Sequence, residues 1–259
     1  MIRKKAPKTP KEPKKTVLKN TGKGILLAIA IGVLIFGIEY GLAWLLYWLI
    51  GAEKLTQPFW NAVYQALVYA ITLAFIISAP ILLSKLKTAK NGLKWAKTLK
   101  IDREEAGLRG LPTWTDIGLA PVGLLVYFLA AAGLVALFKL FPWFNALENQ
   151  DVGFNNIYAG ADRVIAFIAL VVIAPVAEEI IFRGWLYGKL RNRLKIIPAM
   201  LIVSILFGVL HGQWNVGVNV FALSLVLCGL REITGTIYAG MIVHILKNAL
   251  AFYLLYLVL

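Results

Sequence analysis

The stretch Ala177-Glu178-Glu179-Ile180-Ile181-Phe182-Arg183-Gly184 ends the apolar run 164–176 with two adjacent carboxylates and a guanidinium. Ionised groups in an apolar span cost several kcal/mol unless they are paired, so carboxylates there point to function. On a helix Glu179 and Arg183 stand four residues apart and can touch, whereas Glu178 points about 100° away around the axis. Glu179 is therefore expected to pair with Arg183, which leaves Glu178 free. The competing reading is a helix end at the membrane surface, with both acids solvated and the arginine reaching up to the headgroups.

Composition decides the class. Hydrophobic residues make up 60% of the 259, and the mean hydropathy is +0.76. Several runs exceed the roughly 18 apolar residues that mark a membrane span. The expectation is an all-α, polytopic transmembrane helical bundle. The alternation of a transmembrane barrel is absent, as is any fixed-period repeat. The single cysteine, Cys228, lies in an apolar run and allows no intramolecular disulfide, so packing is its expected role.

A net charge of +14 could signal nucleic acid, but its distribution argues for a membrane. Of 27 Lys and Arg, nine fall in 1–23, eight in 85–109 and four in 189–195, all flanking apolar runs. This is the positive-inside pattern. The basic tail has no interleaved aromatic residue on which a base would stack, so no nucleic-acid partner is expected. Anionic lipid is the simpler partner.

Residues 1–23, rich in Lys and Pro, are expected to form a disordered cytosolic tail. No short apolar stretch with a cleavage site follows, so the first span is expected to be a retained anchor. Residues 24–160 hold spans one to three, at about 25–50, 59–83 and 115–141. The basic segment 85–109, with Leu93, Trp95, Leu99 and Ile101 among its lysines, is expected to lie on the inner surface. Residues 161–259 form the expected catalytic core: span four to about residue 190, span five at about 196–210, span six at about 216–230 and span seven at about 234–259. Splitting the last run at Lys247-Asn248 gives eight spans instead of seven; one tilted 26-residue helix is favoured over two of about a dozen residues. Glu39 lies inside span one between Gly37 and Gly41. That GxxxG would let a neighbouring helix approach closely, and a hydrogen-bonding role for Glu39 is favoured over a chemical one.

The chain has two histidines, His211 and His244, both within or at the end of apolar runs. Asn248 follows His244 by four residues, so both project from one helix face. Phe207 precedes His211 by four, where its ring can wall the site. If spans four and five are antiparallel about the polar turn 191–195, position 178 comes level with 211, because their mean is 194.5. His244 lies about ten residues into span seven, roughly 15 Å deep at 1.5 Å per residue. Independent structural polar residues need not line up in this way.

A carboxylate beside an imidazole can hold a water and take its proton. A second imidazole with a carboxamide supplies donors for the oxyanion that forms when water attacks an amide carbonyl. Neither serine nor cysteine is required. Glu179 with Arg183 would fix the helix rotation that aims Glu178.

Glu178-Glu179-x-x-x-Arg183, Phe207-x-x-x-His211 and His244-x-x-x-Asn248, in this order on successive spans, resemble the three motifs of the CPBP family (CAAX proteases and bacteriocin-processing enzymes, also called Abi). The resemblance covers about residues 160–255. It implies an intramembrane glutamic endopeptidase similar to the type II CAAX prenyl proteases, in which Glu178 and His211 activate water and His244 and Asn248 form the oxyanion hole. It implies no cofactor, a peptide or protein substrate that is prenylated in some relatives, and residence in a membrane; together with the placement of basic residues, the expectation is the plasma membrane of a prokaryote with the N-terminus cytosolic. Two other readings stay open. Zinc takes His and carboxylate ligands with one position left for water, so Glu178, His211 and His244 could bind it in a metalloprotease. Alternatively, the polar residues could line a pathway in a non-catalytic bacteriocin-immunity or transport protein.

Overall fold

The computed structural model describes residues 14–85, 99–148, 154, 157 and 160–258. Its apolar helices are α1 (Lys14–Ile50), α2 (Pro58–Lys85), α3 (Trp114–Phe138), α4 (Gly160–Arg191), α5 (Ile196–Val209), α6 (Trp214–Thr234) and α7 (Tyr238–Tyr253, continuing with a wider turn over Leu254–Val258). Six of them are long and apolar enough to cross a membrane. The expected fifth span, α5, has only 14 residues. At 1.5 Å per residue it reaches about 21 Å, against a hydrocarbon core about 30 Å thick. The last run is one helix past Lys247-Asn248, so the eight-span alternative falls away.

Helix α1 begins at Lys14, inside the stretch expected to be disordered, while residues 1–13 lie outside the described residues. The segment expected on the inner surface divides in the same way. Residues 86–98 lie outside the described residues, whereas Leu99 and Ile101 pack against the main core instead of spreading over the surface. The cause is polar. Lys189 and Arg231 are buried at the ends of α4 and α6, and such cations need acceptors. Lys189 Nζ finds Glu105 at 2.8 Å and the Lys100 carbonyl. Arg231 donates to the carbonyls of Glu105 and Gly184. Trp185 Nε1 donates to the Leu99 carbonyl at 2.9 Å.

Helix α4 runs through the middle. Its Ile181, Phe182, Trp185, Leu186 and Leu190 pack with Val203 and Phe207 of α5 and with Val220 and Cys228 of α6. The buried Cys228 thus packs as expected. Helix α3 lays Ala120, Tyr127 and Ala131 against Leu223 and Leu227 of α6 and Val243 of α7. A capping box at Thr113 and Asp116 starts α3, and Thr236 Oγ1 donates to the same Asp116 at 2.7 Å, tying that end to the α6–α7 turn. Gly235, at φ +73°, closes α6 in the left-handed region.

Close helix approach occurs away from the expected GxxxG. A Cβ on Gly37 or Gly41 would meet nothing within 4 Å, so no described helix packs into that motif. The tight crossing lies between α5 and α6, where a Cβ on Gly208 would stand 2.9 Å from the Gly217 carbonyl and one on Gly217 would stand 3.0 Å from the Gly208 carbonyl.

Candidate active site

Helix α4 departs from regular geometry before the paired acids and again from the second of them onward. It widens to i→i+5 hydrogen bonding over Ile168–Ile173 and again over Glu179–Leu186, a distortion common at functional sites. The first widening ends with the Ala174 amide bonded to the Ala169 carbonyl. By that pattern the Leu170 carbonyl would go to residue 175, which is proline and has no N–H. Asn248 Nδ2 of α7 takes up the vacated carbonyl at 2.9 Å. One N–H of the Asn248 amide is thereby committed to holding α7 against α4.

Glu179 and Arg183 make the expected pair, Nη1 to Oε1 at 2.9 Å, and both side chains are fully buried. The same Oε1 receives His244 Nδ1 at 3.0 Å, so Glu179 braces two groups. Arg183 also stacks its guanidinium 4.3 Å from the Phe207 ring centroid. The Phe207 ring also meets His211 at 4.8 Å and His244 at 6.0 Å between centroids, so one ring touches three of the polar side chains.

Glu178 is not left without contacts, as the helix rotation alone suggested. Tyr69 of α2 donates its hydroxyl to Oε1 at 2.6 Å, and His244 Nε2 lies 3.6 Å from Oε2. His211 stands in the turn after α5 with Nδ1 2.7 Å from the Phe207 carbonyl. A carbonyl only accepts, so Nδ1 carries the hydrogen and Nε2 keeps its lone pair. The Glu179 carboxylate likewise places a hydrogen on Nδ1 of His244.

Glu178, His211, His244 and Asn248 all line one cavity of about 320 Å³, together with Tyr69 and Lys247. Glu178, His211 and Tyr69 also line a smaller cavity of about 160 Å³ that reaches Glu39 of α1. The structure thus brings together the four residues read as reacting groups, with Glu179 and Arg183 buried behind them. Sequence reasoning missed Tyr69. Its signal was present as a polar ridge on the second span, Asn61, Gln65 and Tyr69 at spacings of four, where Gln65 Nε2 bonds Asn61 Oδ1 at 2.9 Å. It also passed over Lys247, noted only as a possible break between two helices.

Among the described residues, no group of three or more His, Cys, Asp or Glu side chains converges as a metal-binding cluster. His244, one of the three candidate zinc ligands, already has Nδ1 on Glu179, a contact that metal-bound histidines also make to a carboxylate.

Residues 160–250, from the start of α4 to near the end of α7, match the family described as type II CAAX prenyl endopeptidase Rce1-like. This segment is similar to the Rce1-like family. The UPF0177 protein YxdF of Lactococcus lactis subsp. lactis (strain IL1403) is 29% identical to this chain over 90 residues. The match covers 35% of this chain and 49% of YxdF, so the chain spans about half the length of the curated relative it matches. No solved structure matches. The Rce1-like segment contains every residue of the three motifs, whereas Tyr69 and Glu39 lie outside it.

Proposed function

We propose that this chain is an intramembrane endopeptidase of the CAAX-processing type that hydrolyses a peptide bond of a membrane-associated protein or peptide. The observation that supports this most strongly is the convergence of Glu178, His211, His244 and Asn248 on a single cavity. In this reading Glu178 and His211 hold a water between them. As the water oxygen bonds to the scissile carbonyl carbon, one of its protons passes to the Glu178 carboxylate and the carbonyl electrons move onto oxygen. His244, with Nδ1–H held by Glu179 and a second hydrogen on Nε2 as the imidazolium, and the second N–H of Asn248 face that oxyanion. When the C–N bond breaks, Glu178 returns the proton to the leaving nitrogen, giving a carboxylic acid and an amine. Tyr69 orients the carboxylate through its 2.6 Å bond. The site half of the molecule would work in a membrane, with the substrate arriving from the inner leaflet or cytosol. Membrane lipid is the standing partner, and bacteriocin-related processing is an alternative use of the same chemistry.

The test is detergent-purified protein incubated with internally quenched peptides, prenylated and unprenylated. Glu178→Gln and His211→Ala should each lower turnover by at least about 10²-fold, with expression and membrane insertion near wild type. Full turnover by Glu178→Gln would remove the glutamic mechanism.

A further inference from the structure

The two cavities at the site share a wall. Glu178, Tyr69 and His211 line both. His244, Lys247 and Asn248 line only the larger, and Glu39 only the smaller, where Phe182 and Phe207 close the sides. Groups suited to an oxyanion therefore stand on one side of the Glu178–His211 pair, and a lone carboxylate stands on the other. Glu39 sits within the apolar window Gly32–Ile50 of α1, and no described residue donates a hydrogen bond to it. A carboxyl group in a membrane helix must find a polar partner somewhere. Its neighbours across the small cavity are Glu178, Tyr69 and His211, which offer the two to four polar contacts a buried water needs, and about 160 Å³ holds several waters.

We propose that the small cavity is the water compartment of the site, with Glu39 as the positioning residue that holds the reserve from which Glu178 and His211 draw the attacking water. This rests on the hydrolytic reading above. The peptide then occupies the larger cavity, and water reaches the carbonyl carbon from the α1 side, opposite the oxyanion donors. One water is consumed for each bond cut. Its proton travels through Glu178 to the leaving nitrogen, so Glu39 neither gains nor loses a proton over the cycle and serves only as a hydrogen-bond acceptor.

Two measurements test the proposal. In the quenched-peptide assay, Glu39→Leu should lower kcat about tenfold with KM unchanged, the effect of losing one hydrogen bond to the nucleophile's reserve. Glu39→Gln, which still accepts a hydrogen bond, should recover most of that loss. An unchanged kcat in Glu39→Leu overturns the proposal. So does an equal loss in the Gln and Leu variants with normal thermal unfolding, which would make the charge, and not water binding, the role of Glu39. The second measurement needs no variant. Under X-ray hydroxyl-radical footprinting of the wild type, bound water should make Phe182 and Phe207 oxidise severalfold faster than Phe154, which is comparably buried at 2% exposure against their 4% and 1%. Equal rates overturn the proposal. Activity lost in Glu178→Gln separates the two ideas, because hydrolysis would then stand whatever Glu39 does, while footprinting reports on the water whether or not a substrate is found.

Discussion

Helices α1 and α2 and helices α4 and α6 are equally apolar to the eye, yet they are used differently. Inside the molecule 11% of the apolar window of α1 and 17% of that of α2 is buried, against 44% in α4 and 56% in α6. The first pair turns large side chains such as Val33, Trp44, Trp48 and Phe59 outward, as lipid-facing helices do. The second pair packs around ionised groups. In water, burying apolar surface drives packing, but lipid gives helices no such drive. Tight packing is accordingly found where polar pairs and glycine contacts draw helices together. The lipid-facing pair still sends one hydroxyl, Tyr69, and one carboxylate, Glu39, to the site.

The sharpest way to break this contrast is to cut the buried pair. Glu179→Ala or Arg183→Ala leaves a fully buried charge alone, which costs about 3–5 kcal/mol. The double variant should lose less than the sum of the two. Thermal unfolding in detergent, read alongside turnover, checks this, and strict additivity would show that the two residues do not act as partners. Glycines give a second, smaller contrast. Gly217→Ala pushes a methyl into the Gly208 carbonyl and should cost about 1–3 kcal/mol by overpacking, while Gly41→Ala, open on all sides, should stay within about 0.5 kcal/mol. Equal effects would erase the distinction between the two helix pairs.

The orientation of the two halves can be read by thiol labelling. Basic residues concentrate in 1–23, 85–109 and 189–195, which places all three in the cytosol if the positive-inside rule holds. With single cysteines at Ala89, Asn149 or Asn192 in a Cys228→Ala background, an impermeant reagent on intact cells should label only the position-149 variant. Labelling at 192 would invert the hairpin that carries Glu178 and His211. The smallest expected effect is that of metal removal. Dialysis against a strong chelator should leave turnover unchanged, and elemental analysis should find well under about one zinc per chain. Activity lost on chelation and restored by zinc would replace the glutamic account with the metal one.

The membrane helices were legible because run length and charge placement are local properties. So was the Glu179–Arg183 pair, since i,i+4 geometry is set within one helix. The hairpin count that levels 178 with 211 agrees with both residues lining the same cavities. What stayed hidden depends on how helices meet. No local pattern says that His244 will rest on Glu179, 65 residues away, or that α2 will aim Tyr69 at Glu178. The GxxxG on α1 misled because small residues permit close approach without compelling it. Segment 85–109 was expected on the inner surface because Lys189 and Arg231, whose burial draws its described part in, lie far along the chain.

A proline inside a helix is usually counted as a weakness. At position 175 it acts more like the notch of a ruler. The missing amide leaves one particular carbonyl, that of Leu170, waiting for a donor from another helix, and the Asn248 side chain is the donor that fits. Sliding α7 by a single residue would carry that amide 1.5 Å along its axis and 100° around it, and the bond would be lost. The helix bearing Glu178 and the helix bearing His244, already joined by the bond between Glu179 and His244, are thus indexed to one another at a further mark, cut by a residue with no N–H of its own to offer.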